Sequence, residues 1–102
     1  MRKTQALVRV AVALMNDPYG KHWGYDLMRE SGVRSGVLYP ILRRLLAENW
    51  VTDGWEDPAV ISGRPPRRYY EMTELGQRDL GALLAAVRHE ARFRHILPGP
   101  AR

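Results

Sequence analysis

At 102 residues, 45% hydrophobic and 26% charged, the chain has the make-up of a single globular domain rather than a disordered or fibrous one. It contains no cysteine, which excludes disulfides, thiol chemistry and Cys-ligated zinc or iron–sulfur sites. The formal net charge of +5 points toward an anionic partner, and its clustering along the chain says more than its size.

The first segment begins with Arg2 and Lys3 and then turns apolar. Arg9 interrupts that run and no small-residue cleavage site follows, so the segment reads as structure and the protein as cytoplasmic. No stretch approaches the roughly 20 apolar residues that span a membrane. Thr4 caps a first helix running from Gln5 to about Met15. Leu7, Val10, Ala11 and Leu14 form one apolar stripe on it, and Val8, Val12 and Met15 form a second beside it. A helix apolar on two sides packs on its own domain and on something else.

Tyr19 to Gly24 reads as a turn. A short second helix follows from about Tyr25 to Glu30, burying Leu27 and Met28, with Gly32 suited to a left-handed position after its end. The third helix starts at Ser35 as N-cap and continues to Glu48 or Asn49. Leu38, Ile41, Leu42 and Leu45 fall on one face of a 3.6-residue wheel and point to the core. The opposite arc holds Gly36, Tyr39, Pro40, Arg43 and Ala47, flanked by Arg44. Pro40 lies past the first turn, where it removes a backbone bond and crowds Gly36, so that turn should be tight or irregular.

Val51–Trp55 and Arg67–Met72 read as two strands of a hairpin with a long tip containing Gly63, Arg64, Pro65 and Pro66. Thr73 then caps a long last helix, Glu74 to roughly Phe93, striped with Leu80, Leu83, Leu84, Val87 and Ala91. Pro98-Gly99-Pro100 ends regular structure, and residues 98–102 should form a mobile tail. The expected fold is mainly α with a small β-hairpin: a winged helix-turn-helix domain over 1–73 and a C-terminal dimerisation helix over 74–97.

Two clusters carry the charge. Arg34, Arg43 and Arg44 lie in a stretch without an acid, and Arg64, Arg67 and Arg68 form a second one. A helix with one greasy face and an acid-free opposite face fits the major groove of B-DNA, about 12 Å wide. Gly36 allows close approach, the first-turn N–H groups suit a phosphate, and Tyr39 can donate to one. Arg43 and Arg44 reach guanine edges or phosphates. The basic hairpin tip, held extended by its prolines, fits a minor groove or its flanking phosphates. The three histidines, His22, His89 and His95, make no metal pattern and read as solvated surface. Glu71, Glu74 and Asp79 read as ordinary strand-end and helix-start acids, leaving no catalytic set, no metal site and no cofactor.

The run Gly24-Tyr25-Asp26-Leu27, then Ser35-Gly36-Val37-Leu38-Tyr39-Pro40-Ile41-Leu42-Arg43-Arg44-Leu45, resembles the PadR family of transcriptional regulators. The resemblance continues through Gly63-Arg64-Pro65, Arg68-Tyr69-Tyr70 and Thr73-Glu74-Leu75-Gly76, and covers about Gly24 to Leu80. It implies a winged-helix homodimer, usually a repressor, that contacts double-stranded DNA. Ser35, Gly36, Tyr39, Pro40 and Arg43 match the family's recognition helix, and Arg64 and Arg68 match its wing. Pro66 and Trp50 depart from the family pattern. Some members resemble sensors of aromatic or cationic molecules, and Trp23, Trp50, Trp55 and Phe93 could contribute to such an effector site. Aromatics in a small domain are more often core, however, and the last helix contains no tryptophan, so the effector is implied by the family and by no particular residue. The apolar stripes of both terminal helices, Leu7, Val8, Ala11, Leu80, Leu83, Leu84, Val87 and Ala91, are the candidate dimer interface, shared with the core. The rival reading is a winged-helix adaptor that binds protein and not DNA.

Overall fold

The computed structural model describes residues 1–97, so the expected mobile tail lies outside the described residues. Helix α1 spans Gln5–Met15, with Thr4 in extended conformation accepting from the Leu7 N–H at 3.1 Å. Its two stripes part company. Leu7, Val10, Ala11 and Leu14 enter the main core, while Val8 joins a second, smaller core with Val87 and Phe93. The helix thereby touches every other helix of the chain.

Residues 22–23 overturn the turn expected over Tyr19 to Gly24. His22–Trp23 form a strand, β1, too short to show any periodicity in the sequence. His22 is buried and its Nε2 donates to the Asp17 carbonyl at 2.7 Å, contrary to the solvated position expected for it. Helix α2 spans Gly24–Ser31 and ends at Gly32, whose φ of 70° and N–H bond to Met28 make a left-handed cap. The Ser31 hydroxyl accepts from the Val33 N–H at 3.1 Å and fixes the turn into α3, Ser35–Ala47.

The start of α3 differs from the expectation in one detail. Arg34, not Ser35, is the N-cap, and no side chain caps the helix. The Arg34 carbonyl accepts from both Val37 and Leu38, at 3.0 and 2.8 Å, which gives the tight first turn. The helix runs straight on through Pro40, because the carbonyl that loses its donor belongs to exposed Gly36 and can be hydrated. Leu38, Ile41, Leu42 and Leu45 are buried. The other end closes on Asn49, at φ 59°: Asn49 N–H bonds Leu46 at 3.0 Å and Trp50 N–H bonds Leu45 at 2.9 Å, the paired bonds of a Schellman motif.

Strands β2 (Val51–Trp55) and β3 (Arg68–Met72) pair antiparallel with Val51 opposite Met72 and Trp55 opposite Arg68. β1 adds to the other edge of β3, so the hairpin becomes a three-stranded sheet in the order β1-β3-β2. The tip between them holds a 3-10 turn at Pro58–Val60. Helix α4 spans Glu74–Val87 and starts on Thr73, whose Oγ1 accepts from Gly76 N–H at 2.9 Å and donates to the Asn49 carbonyl at 2.6 Å.

α4 stops six residues short of the expected Phe93. Glu90 is extended and a 3-10 turn, Ala91–Phe93, carries Phe93 back against Val8 and Val87. Six further helical residues would have turned Phe93 about 120° away from Val87, so burial of the ring wins over continuation. Of the apolar residues assigned to an interface, Leu7, Val8, Ala11, Leu80 and Val87 are at most 2% exposed within this one chain. Leu83 and Leu84 are half-buried, and Ala91 is exposed.

Gly76 is the tightest point of this frame. A Cβ there would lie 2.6 Å from the carbonyl carbon of Trp50 and 2.8 Å from its Cα. Gly76→Ala is therefore expected to destabilise the fold by about 1–3 kcal/mol, the range for overpacking, in urea unfolding. An unchanged midpoint would mean that α4 does not press on Trp50 in solution.

Candidate nucleic-acid interface

One face of α3 is core and the other is open. Ser35, Gly36, Tyr39, Arg43, Arg44 and Ala47 are exposed, Pro40 is half-buried, and no acid lies between Arg34 and Ala47. Among the described residues, Arg34, Arg43 and Arg44 have no ion-pair partner. A Cβ on Gly36 would meet nothing within 4 Å, so no packing inside the chain explains a glycine there. Val37, at 50% exposure, is an apolar member of the same open face, and nothing in the polar pattern of its turn signals it.

The wing departs from the expectation of a purely basic tip. Arg64 makes a bidentate pair with Glu56, Nη1 to Oε1 at 2.7 Å and Nη2 to Oε2 at 3.0 Å, and also donates to the Pro65 carbonyl. Glu56 Oε1 accepts a further bond from the Arg67 N–H at 2.8 Å. Arg68 pairs with Asp53 through Nε at 2.7 Å and through Nη2, and its guanidinium lies 5.3 Å over the Tyr70 ring. The cluster is acid-free along the chain but not in space. Pairing sets Trp55 opposite Arg68, which brings Asp53 diagonally alongside on the same face. Arg67 alone of the three makes no side-chain ion pair among the described residues, although its charge also acts on Glu56.

These pairs perturb the groups in them. Hydrogen bonding from Arg64, with help from the Arg67 N–H, holds the Glu56 carboxyl down to about 2, and Arg64 is pushed above its ordinary value in return. Arg68 is raised likewise by its bonds to Asp53.

The aromatic residues considered for an effector sit in separate settings. Trp23 packs edge-on to Tyr69 at 5.4 Å, and Trp50 is half-buried against the main core. Trp55 is 64% exposed on β2, and Phe93 is sealed in the second core. Among the described residues no group of three or more His, Asp or Glu could hold a metal ion, and no helix is long and apolar enough to cross a membrane.

Because the Glu56 carboxyl is depressed in the folded wing, its contribution is complete above the ordinary value of 4.5 and is lost as pH falls through about 2. Carbon-13 titration of the Glu56 carboxyl is expected to give a midpoint near 2. A midpoint at the ordinary value would show that the Arg64 clasp is open in solution.

The fold has known counterparts. The family model of the transcriptional regulator PadR-like family matches residues 14–82. A PadR family transcription regulator from Clostridium difficile R20291 superposes with a TM-score of 0.69 at 17% identity, over 93% of this chain and 100% of that one. A PadR family transcriptional regulator from Eggerthella lenta DSM 2243 does so at 0.64 and 25% identity, over 80% and 73%. The circadian clock associated protein Pex from Anabaena shares the fold at 0.62 and 20% identity, over 91% and 84%. No curated protein matches the chain significantly in sequence. With the family's pattern running through more than half of its length, from α1 into α4, the chain belongs to the PadR-like family of transcriptional regulators.

Proposed function

We propose that this regulator acts in the cytoplasm as a homodimeric repressor that lays α3 in the major groove of double-stranded DNA and sets its wing on the flanking backbone. The observation that carries this reading is the outer face of α3, where exposed Ser35, Gly36, Tyr39, Arg43 and Arg44 stand opposite a fully apolar inner face with no acid among them. Arg43 and Arg44 supply base-edge or phosphate donors, Val37 an apolar contact for a thymine methyl, and Arg34 a cation at the helix start. The wing grips through Arg67 directly. Arg64 and Arg68 engage phosphate by exchanging a carboxylate partner for it, a swap between two anions of similar geometry. A two-fold dimer would space its reading helices one DNA turn apart, roughly 34–36 Å, and favour a palindromic operator.

The dimer seam falls to the half-buried side chains around the second core, Val12, Leu83 and Leu84, with exposed Ala91 at its rim. The fully buried Leu7, Val8, Ala11, Leu80 and Val87 support that seam from beneath. Release by a small-molecule effector is part of the proposal through the family alone. The adaptor reading draws on a different observation, exposed Trp55 and Val60 at 64% and 80% on the wing.

Arg43→Ala is expected to weaken binding to a duplex from upstream of the protein's own reading frame by about 1–3 kcal/mol, roughly 5- to 150-fold. Sedimentation should still give a dimer. A salt titration of the wild-type protein should give a steep linear fall of log affinity with log salt. Affinity indifferent to salt, or to Arg43→Ala, would favour the adaptor.

A further inference from the structure

Tyr70 is a buried residue that the grip described above does not use. It lies on β3, the central strand, and is 2% exposed, with its ring in the main core. Among the described residues no group hydrogen-bonds its hydroxyl. Yet no side-chain polar atom there is both fully buried and unpartnered, so the hydroxyl must open onto space. That space is a cavity of about 450 Å³ between the start of α2, α3 and the wing, which Tyr70 lines together with Trp23, Tyr39, Arg67 and Arg68.

The rest of the lining is rich in donors. The Tyr39 hydroxyl reaches over the start of α2, so close that a Cβ on Gly24 would lie 2.5 Å from it. The N-cap of α2, Trp23, offers no side-chain bond, which leaves the first-turn N–H groups uncapped by a side chain. Two acids also line the cavity, Asp26 and Glu56. Glu56 is held by Arg64, and Asp26 makes no ion pair among the described residues. Burial pushes the Tyr70 phenol up, so it keeps its proton and donates.

Two phenol donors, uncapped backbone N–H groups, the unpaired Arg67, and Arg68 on exchange of its Asp53 partner fit a tetrahedral oxyanion. Resting on the DNA-binding reading, we propose that this cavity seats one phosphate of the DNA backbone per protomer, with the Tyr70 hydroxyl as a donor at its floor. The helix-turn-helix and the wing then share a single phosphate at their junction.

The test is Tyr70→Phe, which removes one oxygen and leaves the buried ring. Binding to a random-sequence duplex suits it, since a phosphate contact is sequence-independent. Affinity should fall about 10- to 150-fold, as for one hydrogen bond to a charged group. The slope of log affinity against log salt should stay unchanged, because a neutral hydroxyl releases no counterion. Arg67→Ala should instead lower that slope by about one. Tyr39→Phe, at the other hydroxyl, should repeat the Tyr70→Phe signature and serves if that variant folds poorly.

Wild-type affinity in a folded Tyr70→Phe variant, or in Tyr39→Phe where Tyr70→Phe does not fold, would overturn the proposal while leaving the DNA reading intact. A wild-type protein that binds no duplex would overturn both. If inorganic phosphate bound in a Tyr70-dependent manner while Tyr70→Phe kept full DNA affinity, the cavity would belong to a free phosphate ligand and the assignment to DNA would fail.

Discussion

Three elements meet at the backbone of Asn49 and Trp50, and the placement of everything outside α1 and α2 follows from that junction. Asn49 takes the left-handed conformation that ends α3. Its carbonyl then accepts from the Thr73 hydroxyl, and the next carbonyl, of Trp50, accepts from the Thr73 N–H at 3.1 Å. Thr73 at once closes the β2–β3 hairpin and caps α4, and Gly76 lets α4 press directly on Trp50. The angle between the exposed face of α3 and the wing is thus set by short backbone hydrogen bonds and one missing methyl group, not by side-chain packing alone. Two-point recognition of a rigid ligand depends on such an angle, since a misplaced second contact forfeits its binding energy.

The electrostatics divide the surface into two kinds of cation. Among the described residues Arg34, Arg43 and Arg44 stand without an acid partner on and beside α3, so an interaction there breaks no existing pair. Arg64 and Arg68 are already satisfied by Glu56 and Asp53. Exposed ion pairs of this sort add little to stability, so their main effect is geometric: they hold the wing's tip in shape and lower its net charge. In the DNA-binding reading proposed above, phosphate would have to displace a carboxylate from Arg64 and from Arg68, which would restrain indiscriminate attraction and favour specificity over raw affinity.

The apolar residues of α1 are divided between two cores. α1 serves both: one stripe closes the main core and Val8 closes the second, with Phe93 folded back as its plug. Shortening α4 is the consequence. Around the second core Val12, Leu83, Leu84, Ile96 and Leu97 stay half-buried, and the proposed dimer would have this row to use in place of the full stripes of the two terminal helices.

Local signals in the amino-acid sequence sufficed wherever one residue type answers one physical need. Thr4 and Thr73 as caps, Gly32 as a left-handed stop, and the Leu38–Leu45 face of α3 were all legible, as was the acid-free outer arc opposite that face. So was membership of the family, carried by motifs that encode those same local needs. Tertiary structure decided whatever depends on partners distant along the chain. β1 exists only because β3 offers its edge, and His22 is buried only because that strand forms. The wing arginines acquire Glu56 and Asp53 through strand register, which composition cannot specify. α4 ends where Phe93 finds Val8, a residue 85 positions earlier in the numbering. The open face of α3 was therefore written in the sequence, while the neutralised wing and the cavity beneath it arise only when the chain closes on itself.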